Sequence, residues 1–555
     1  MANSSEPSPA SLADPLLRER WPYTAGIAVA LILIVPLIKW IFATLRPKDF
    51  PPGPPVIPGL GNLHQMSPTK PYLQFHEWSR QYGDIVGLKA GTANLVLLNT
   101  PELVHELFDK RGAICSNRPI NHIMTKYVHS DPEEKGIAIL QYDDYYRRWR
   151  KTFQFILGAA GIKRLLPLLE AEASSLCRKL LDGGRDYEEC ARHWALAVPL
   201  VATTGERLED APSDYTEKLY HAQDVLLPLI LPGAAPPVDI FPILKYVPGF
   251  LAKWKGRARY ASKCMRDDAN NHLMGAKKTY QQILKDPDSV RFDSLLPKIM
   301  KEQDDGNTKD KFTDTNLAFI GSAAVGAAVD TTMATFESLM VAFAAFPDKL
   351  AKAQQEIDNL SLNEPLSGDR IGELVYLKAC ISEVLRWRPT TPQALPHVLT
   401  RDERVGKYAF PGGTMFIANA WTIHRNEEEY DRPDEFIPER FLDNPFGLRP
   451  SYATQDLEKS GRRALYAFGS GRRQCPGEQF AFTSVLLAAS KLIWAYDILP
   501  PPHGLDISIE NGFKDGVVLQ PLHPEVIFKI RSEGRRAAVL ADADRTAEIA
   551  RELQA

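Results

Sequence analysis

Apolar residues in this 555-residue chain recur mainly at helical spacing, and one long apolar segment stands out. The segment, Thr313–Ala345, contains the polar trio Asp330–Thr332 and is closed by Pro347. Its glycines, alanines and polar residues favour a helix in the interior of a large protein over a membrane span.

Amphipathic helices and short strands follow this segment. Leu350–Leu360 and Ile371–Arg388 predict helices, the second of which ends at Pro389. The stretches "HVLT" and "GTMFIANA" predict strands, with "PGG" as a turn between neighbouring strands. The chain is therefore predicted to be mainly α with a minor β region (α+β).

A separate apolar segment lies near the amino terminus. Residues 21–38 carry no charge, and eighteen helical residues span roughly 27 Å, close to the hydrocarbon thickness of a bilayer. Trp21, Tyr23 and Trp40 lie where interfacial aromatic residues occur. A cleaved signal peptide is the alternative, but its apolar region is shorter and no small-x-small cleavage site follows. We predict a single transmembrane anchor at 21–43.

The rest of the chain divides around this anchor. Lys39, Arg46 and Lys48 follow the span, a weak bias that places residues 1–20 in the lumen and the remainder in the cytosol. The proline-rich residues 44–61 predict a stiff connector. One large domain, 62–531, comes next. The tail, 532–555, predicts a solvated helix of alternating charge, to which we assign no role.

Composition narrows the class of protein. The net charge of −3 and the lack of a long basic tract argue against a nucleic-acid partner. The cysteines lack paired spacing and favour a reducing compartment over a disulfide framework. They are Cys115, Cys177, Cys190, Cys264, Cys380 and Cys475.

The stretch "FGSGRRQCPG" surrounds Cys475 with glycines and two arginines. A buried structural cysteine needs neither, and a redox thiol lacks a resolving cysteine close in sequence. A thiolate ligand explains more, because glycines let a loop fold under a flat cofactor and arginines bind its carboxylates. One cysteine cannot hold a four-thiolate cluster, but haem iron takes a single thiolate.

This stretch resembles the haem-binding loop of the cytochrome P-450 family, Phe-x-x-Gly-x-Arg-x-Cys-x-Gly. The matching positions are Phe468, Gly471, Arg473, Cys475 and Gly477. The resemblance implies a P-450 fold that binds haem b, with Cys475 as the axial iron ligand. It also implies that Arg473 meets a haem propionate and that Phe468 packs beside the thiolate.

Further motifs of the family occur in the expected order. "EVLR" and "FIPERF" supply Glu383, Arg386 and Arg440, which the resemblance places in a buried structural network. "AAVDTT" resembles the oxygen-activating segment, with Asp330 and Thr331 as the proton-relay pair. Ala328 departs from the pattern, because it stands where a glycine is usual.

Two more haem contacts are implied. "YDDYYRRWRK" resembles the family's Trp-x-x-x-Arg helix, with Tyr146 at the tryptophan position and Arg150 at the propionate-binding arginine. Trp149 is the alternative occupant if the register slips. His397 stands where the family keeps an Arg or His for a propionate, and a capped core histidine is the alternative.

The resemblance implies a monooxygenase of the endoplasmic reticulum membrane, similar to fungal microsomal members of secondary metabolism. Such an enzyme uses O2 and takes NADPH electrons from a separate reductase. The implied pocket walls, 119–138, 321–328, 391–396 and 511–517, are mostly apolar, so a lipophilic substrate is expected. A haem-thiolate oxidase that couples phenols or rearranges substrates is an alternative, and a non-catalytic haem protein is a remote one.

A basic surface for the reductase is also expected. Its candidate residues are Arg147, Arg148, Lys151, Arg472 and Arg473. An ordinary charged face, with Arg473 turned inward, is the equal alternative.

Overall fold

The computed structural model describes residues 31–32, 34–182, 187–230, 236–286, 292–308, 310–453, 457 and 460–554. These residues are mostly helical with three small sheets, which confirms the predicted fold class. The helices are α1 Ile34–Ala43, α2 Pro71–Tyr82, α3 Pro101–Val104, α4 Asp144–Leu157, α5 Ala159–Lys179, α6 Tyr187–Thr204, α7 Tyr215–Ile230, α8 Lys253–Lys285, α9 Leu295–Asp304, α10 Asp314–Ala345, α11 Pro347–Leu360, α12 Val375–Trp387, α13 Ala420–Ile423, α14 Arg440–Asp443, α15 Pro450–Ala453, α16 Glu478–Ala495 and α17 Glu533–Gln554.

The strands form one four-stranded sheet and two two-stranded sheets. They are β1 Ile85–Ala90, β2 Ala93–Leu98, β3 His397–Val398, β4 Glu403–Val405, β5 Tyr408–Phe410, β6 Met415–Ala418, β7 Tyr496–Leu499 and β8 Ile527–Ile530. The large sheet has the order β1-β2-β6-β3, in which β2 and β6 are parallel. The "PGG" turn joins β5 to β6, but these two strands lie in different sheets.

The long apolar segment forms α10, the central helix. Thr313 and Asn316 form a capping box at its start, which satisfies amides of the first turn. The helix packs against α6, α8, α12 and α16. Within the described residues α10 is the single helix that is by itself long and apolar enough to cross a membrane, whereas α4 and α5 qualify only together, as a pair bent by 49°. In α10, 61% of the most apolar window is buried in the protein. It is therefore an interior helix, as the pattern predicts.

The predicted anchor lies partly outside the described residues, since 21–30 and residue 33 are not among them. Its described end, α1, is an exposed apolar helix whose Trp40 ring lies 6.0 Å from that of Phe241.

The proline-rich connector after α1 packs on the domain. The Gly87 amide donates to the Pro52 carbonyl at 2.7 Å, and a Cβ at Gly53 would lie 2.2 Å from the Gly87 oxygen. Only glycine fits there.

One helix starts later than expected. The predicted Ile371–Arg388 helix begins at Val375, because 368–373 form a 3-10 turn instead. A carboxylate from α11 caps the new start: Glu356 accepts hydrogen bonds from the backbone amides of Val375, Tyr376 and Leu377. This tertiary cap satisfies amides that a helix leaves unpaired in its first turn.

The carboxyl-terminal tail forms α17, as expected, but only its outer face is solvated. One face packs on α5, with Val539, Ala543 and Ala550 buried. Asp542 accepts a hydrogen bond from Ser174 of α5 at 2.7 Å and pairs with Lys491 of α16 at 2.7 Å. The expectation of a solvated tail was wrong for the inner face, because one of the alternating charges, Asp542, is the buried partner of the buried Lys491.

The Lys491 side chain has no exposed surface, so its ammonium depends on this partner. Burial alone would raise the pKa of Asp542, yet Lys491 and hydrogen bonds hold that pKa below its ordinary value. Glu170 offers a second, longer contact to Lys491 at 3.4 Å. The tail therefore completes the charge balance of α16, the helix that follows the cysteine loop.

Asp542→Asn should destabilise the protein strongly. Removing one partner of a buried ion pair typically costs about 3–5 kcal/mol of the free energy of unfolding. Urea unfolding of the holoprotein measures this loss. Asp544→Asn is the matched control, since Asp544 pairs with Arg178 at 2.7 Å on the exposed side of α17. That pair should be worth less than about 1 kcal/mol. Equal losses in both variants would refute the buried role of Asp542.

Candidate active site

The cysteine loop connects a 3-10 turn at Gly471–Arg473 to the start of α16. The Cys475 amide donates to the Phe468 carbonyl at 2.9 Å, and the Gly477 amide donates to the Cys475 Sγ at 3.3 Å. Gly471 has a φ of 64°, and a Cβ there would lie 2.3 Å from the Phe108 carbonyl oxygen. The glycines thus let the loop close and direct a donor at the sulfur.

Cys475 is exposed, unlike the buried Cys115, Cys177 and Cys380. Although its side chain is accessible, the protein packed around it raises the pKa of its thiol by desolvation, while the Gly477 amide and then the Arg150 charge act in the opposite direction. A bound metal ion deprotonates a coordinating thiol outright. The loop therefore suits a metal ligand better than a free reactive thiolate.

Three basic side chains gather beside this loop. Arg473 is buried and donates to the carbonyls of Ser116 at 2.8 Å, Ile137 at 3.2 Å and Leu140 at 2.5 Å. Its burial excludes it from the expected basic docking surface. Arg118 is buried as well and interacts electrostatically with Arg473.

Arg118 donates to the carbonyls of Ala138 at 3.1 Å, Leu395 at 2.9 Å and Pro396 at 2.7 Å. Burial, and secondly the charge of Arg473, lowers the pKa of Arg118 to about 9. Arg118 is not among the residues expected from sequence, because it lies in the polar stretch "SNRPINH" and its partners Leu395 and Pro396 are far away along the chain.

Arg118 and Arg473 form what we define as the cationic cluster, and His397 lies beside them. Nδ1 of His397 donates to the Cys115 carbonyl at 2.8 Å, and its ring stacks on Phe108 with 3.9 Å between centroids. Burial, then the charge of Arg118, holds the pKa of His397 well below its ordinary value.

Within the described residues, no carboxylate accepts a hydrogen bond from the cationic cluster. Two buried guanidinium groups without an acidic partner are costly. A cofactor that carries carboxylates would supply the missing charge. The donor set therefore fits the two propionates of a haem whose iron is held by Cys475.

Arg150 and Tyr146 lie one turn apart on α4. Tyr146 is buried, donates to the Arg472 carbonyl at 3.0 Å and lies under the Arg473 guanidinium, 3.8 Å from ring centroid to Cζ. Arg150 is partly exposed and close enough to lower the pKa of Cys475. Trp149, the other occupant considered, is fully buried.

Asp330 and Thr331 lie on α10. Thr331 donates through Oγ1 to the Ala327 carbonyl of the preceding turn at 2.8 Å. Burial, with the charge of Asp224 second, raises the pKa of Asp330 to about 6, while Arg192 and Lys514 oppose the rise. A carboxyl group that titrates near neutrality is suited to exchange protons.

Glu383 and its partners form a buried network. Arg386 donates to both carboxylate oxygens, at 2.7 and 2.9 Å, and Arg440 donates to Oε1 at 3.1 Å. The side chains of Glu383 and Arg386 have no exposed surface. Arg386 also donates to the carbonyls of His424 and Pro433, which fixes the segment leading to the cysteine loop. The structure thus brings the three residues of the predicted network together.

A cleft of about 1040 Å³ contains none of the residues assigned to haem binding or proton transfer, although Asn511 and Gly512 of the expected pocket wall line it. It lies between the end of α12 and residues 501–525, with Trp387 and Phe436 among its walls. The candidate active site is therefore defined by the convergence of the cysteine loop, the cationic cluster and α10, and not by cavity size.

Comparison with known proteins identifies the family to which the chain belongs. The family model described as cytochrome P-450 matches residues 51–528. The chain belongs to the cytochrome P-450 family. The match covers the cysteine loop, α10 and the Glu383 network, and it ends before α17. Membership of this family implies haem as the cofactor.

Curated P-450 relatives span nearly the whole chain. Cytochrome P-450 monooxygenase grgG of a Penicillium species is 36% identical over 526 residues, which cover 92% of this chain and 93% of that protein. A P-450 monooxygenase of Arthrobotrys oligospora is 32% identical, with 90% and 92% covered. The P-450 monooxygenase fogE of Aspergillus ruber is 30% identical, with 90% of each covered. The chain is thus an oxidoreductase of the P-450 monooxygenase class.

Glu383→Gln should lower the free energy of unfolding by about 3–5 kcal/mol, because it leaves two arginines buried around an uncharged amide. Urea unfolding and the haem content of the purified P-450 measure the effect. Glu373→Gln is the control. Glu373 pairs with Arg370 at 2.8 Å on an exposed surface, and these two residues are three positions apart, as Glu383 and Arg386 are. It should change neither quantity. A Glu383→Gln protein with native stability and full haem content would contradict the structural role.

Proposed function

We propose that this P-450 is a membrane-anchored haem-thiolate monooxygenase that oxidises a lipophilic small molecule in fungal secondary metabolism. The observation that carries the proposal is the exposed Cys475, whose sulfur receives an amide hydrogen bond next to a cationic cluster that makes no hydrogen bond to a carboxylate within the described residues. When bound, the haem supplies the activation of O2. The chain supplies the axial thiolate, the cations for the propionates and the proton relay.

In this proposal each residue has one task. Cys475 binds the iron, and the Gly477 amide stabilises the charge on its sulfur. Arg473, Arg118 and His397 bind propionates, and Arg150 adds a further cation close to the thiolate. Phe468 packs beside the cysteine with its carbonyl on the Cys475 amide. Hydrogen bonds to the backbone hold Arg118, Arg473 and the cysteine loop in place, so these groups are preorganised.

The proton relay is assigned to Asp330 and Thr331. Asp330 exchanges protons with solvent because its pKa lies near neutrality, and Thr331 passes a proton from its hydroxyl toward the reacting centre. The Thr331 hydroxyl can leave its bond to the Ala327 carbonyl without breaking a backbone hydrogen bond. A hydroxyl that alternates between partners is what a relay needs.

Electrons are proposed to arrive from a separate NADPH-dependent P-450 reductase. Arg147 and Arg472 are exposed at the surface beneath the cysteine loop, and Arg472 donates to the Tyr142 hydroxyl at 3.1 Å. Lys151 is exposed on the same helix as Arg147. These cations suit an acidic partner surface.

Membrane attachment to the endoplasmic reticulum, with the domain in the cytosol, is proposed from two exposed apolar surfaces. One is α1. The other, the apolar tip, comprises Ile243, Tyr246, Phe250 and Leu251, which are 66–84% exposed. Contact between Trp40 and Phe241 brings the two together. Exposed Lys253 and Arg257 follow the tip and suit lipid phosphates.

Cys475→Ser should abolish the red-shifted Soret band of the reduced carbon-monoxide complex, because only a thiolate ligand produces it. Absorption spectroscopy of the reduced protein measures the band. Cys264→Ser is the control, since Cys264 is partly exposed on α8 and away from the loop. Persistence of the band in Cys475→Ser would refute the ligand assignment.

Thr331→Val should preserve folding, haem content and substrate affinity, but it should lower the product formed per NADPH. Loss of general acid–base catalysis is typically worth about 10²–10⁴-fold, and the unused electrons should appear as hydrogen peroxide. Thr332→Val is the matched control, because the Thr332 hydroxyl is buried and makes no hydrogen bond in the described residues.

The pH dependence gives a second reading of the same relay. Since the raised pKa of Asp330 is about 6, the carboxylate form predominates above that pH. Product per NADPH should therefore fall as the pH drops below about 6, and Asp330→Asn should lack this limb. If Thr331→Val leaves the product per NADPH unchanged, oxidation without oxygen insertion is favoured. In that case, turnover under isotopically labelled O2 should give a product that carries no label.

Deleting residues 1–43 should weaken membrane association without changing the haem spectrum. The double variant Phe250→Ser, Leu251→Ser should weaken the remaining membrane association, because the apolar surface of Phe250 and Leu251 leaves water when the protein binds a membrane. Sedimentation with membranes measures both effects. Leu362→Ser is the control, as Leu362 is 63% exposed in the turn after α11. Protection of the domain from protease in sealed microsomes would contradict its cytosolic side.

A further inference from the structure

Glu337 is a fully buried carboxyl group that the proposed mechanism does not use. It lies on α10 two turns after Asp330, and its side chain has no exposed surface. Its Oε2 accepts a hydrogen bond from Gln520 Nε2 at 2.7 Å, and its Oε1 has no hydrogen-bond partner among the described residues. A buried carboxyl group with so few partners is costly and calls for a functional reason.

Gln520 belongs to a segment that we call the carboxyl-terminal hairpin, residues 511–522. Its two arms are joined by the Lys514 amide, which donates to the Gln520 carbonyl at 2.8 Å, and by the Leu522 amide, which donates to the Gly512 carbonyl at 2.8 Å. The bond between Gln520 and Glu337 therefore ties both arms to α10.

A second attachment lies close by. The Leu519 amide donates to the Thr390 carbonyl at 2.8 Å, and the Thr390 hydroxyl bonds the Thr335 hydroxyl at 3.0 Å. Thr335 in turn donates to the Thr331 carbonyl at 3.0 Å. The carboxyl-terminal hairpin is thus held on the part of α10 that immediately follows the proposed proton relay.

Charge links this attachment to the relay. Lys514 is close enough to lower the pKa of both Asp330 and Glu337. From α6, Arg192 acts in the same direction on both, and Glu188 raises the pKa of Glu337. The remaining titratable groups that face Glu337 are Tyr187 of α6 and Tyr220 of α7. A shift of the hairpin would therefore move a cation relative to Asp330.

We propose that Glu337 is a positioning residue, which holds the carboxyl-terminal hairpin against α10 and so sets both a wall of the substrate pocket and the place of Lys514 beside Asp330. The inference rests on the proposed function, because it takes residues 511–517 as a pocket wall. Glu337 touches neither substrate nor cofactor in this account. It acts through Gln520.

The attachment should depend on pH. Burial raises the pKa of Glu337 to about 7, and the Gln520 amide only partly opposes this rise. A carboxyl group whose pKa is raised in the closed state stabilises that state at low pH, and the contribution is lost as the pH rises through the raised value. The hairpin should therefore open more readily at pH 7.5 than at pH 5.5.

Hydrogen exchange of the full-length holoenzyme tests the attachment directly. Glu337→Ala should raise exchange of amides in residues 511–522 by about tenfold, the usual effect of one lost buried hydrogen bond. Glu337→Gln keeps an acceptor for Gln520. Its protection factors, which correct for the faster intrinsic exchange at high pH, should match those of the native protein at pH 5.5 and should not fall at pH 7.5. Glu188→Gln, a partly exposed neighbour paired with Arg192 at 2.7 Å, should behave as the native protein.

Gln520→Ala removes the same bond from the partly exposed side, so it tests the proposal even if Glu337→Ala does not fold. It should raise hairpin exchange to the same extent, by about tenfold. Unchanged exchange in Gln520→Ala, or equal pH dependence in Glu337→Gln and the native protein, would overturn the inference.

Binding of two haem ligands separates this inference from the proposed function. Imidazole is too small to reach the hairpin, whereas 4-phenylimidazole reports on the pocket wall. In Gln520→Ala the Kd for 4-phenylimidazole should change by about three- to tenfold and that for imidazole by less than about twofold. If neither ligand shifts the Soret band of the native protein, the proposed function fails. If both ligands bind and the ratio of their Kd values is the same in Gln520→Ala and in the native protein, the role of Glu337 fails.

Discussion

The carboxylate of Glu383, shielded completely from water, fixes the architecture around the cysteine loop. It binds Arg386, whose guanidinium reaches the His424 carbonyl at 2.9 Å. Burial, and then the Arg386 charge, holds the pKa of His424 well below its ordinary value, so the neutral ring can accept a hydrogen bond. Nε2 of that ring accepts the Tyr466 amide at 2.9 Å, close before Cys475 in the chain. The position of the proposed iron ligand thus depends on an ion pair that touches no cofactor.

A second constraint acts on the other side of the loop. Among the described residues, the cationic cluster has only carbonyl oxygens as hydrogen-bond acceptors, and such dipoles compensate a buried charge incompletely. The fold therefore stores an electrostatic cost that a dianionic cofactor would relieve. Haem binding and folding should be thermodynamically linked, because a ligand that binds only the folded state stabilises it.

Much of the candidate site could be predicted from sequence because its residues sit in local patterns. The glycines around Cys475, the Glu383–Arg386 spacing and the apolar run of α10 are all readable within a few turns of chain. Arg118 was not predictable, since its partners Ala138 and Leu395 come from distant segments. The start of α12 at Val375 likewise depends on a carboxylate from another helix.

The docking of α17 was hidden because its apolar residues are sparse and small. Its consequence concerns the order in which the chain folds. Asp542 meets Ser174 across 368 positions of sequence, and Arg545 meets Glu170 across 375. Closing so long a loop is entropically unfavourable, and contacts of such separation form late. The docking of α17 on α5 should therefore belong to the last stage of folding, although the pair between Lys491 and Asp542, only 51 positions apart, can form before it.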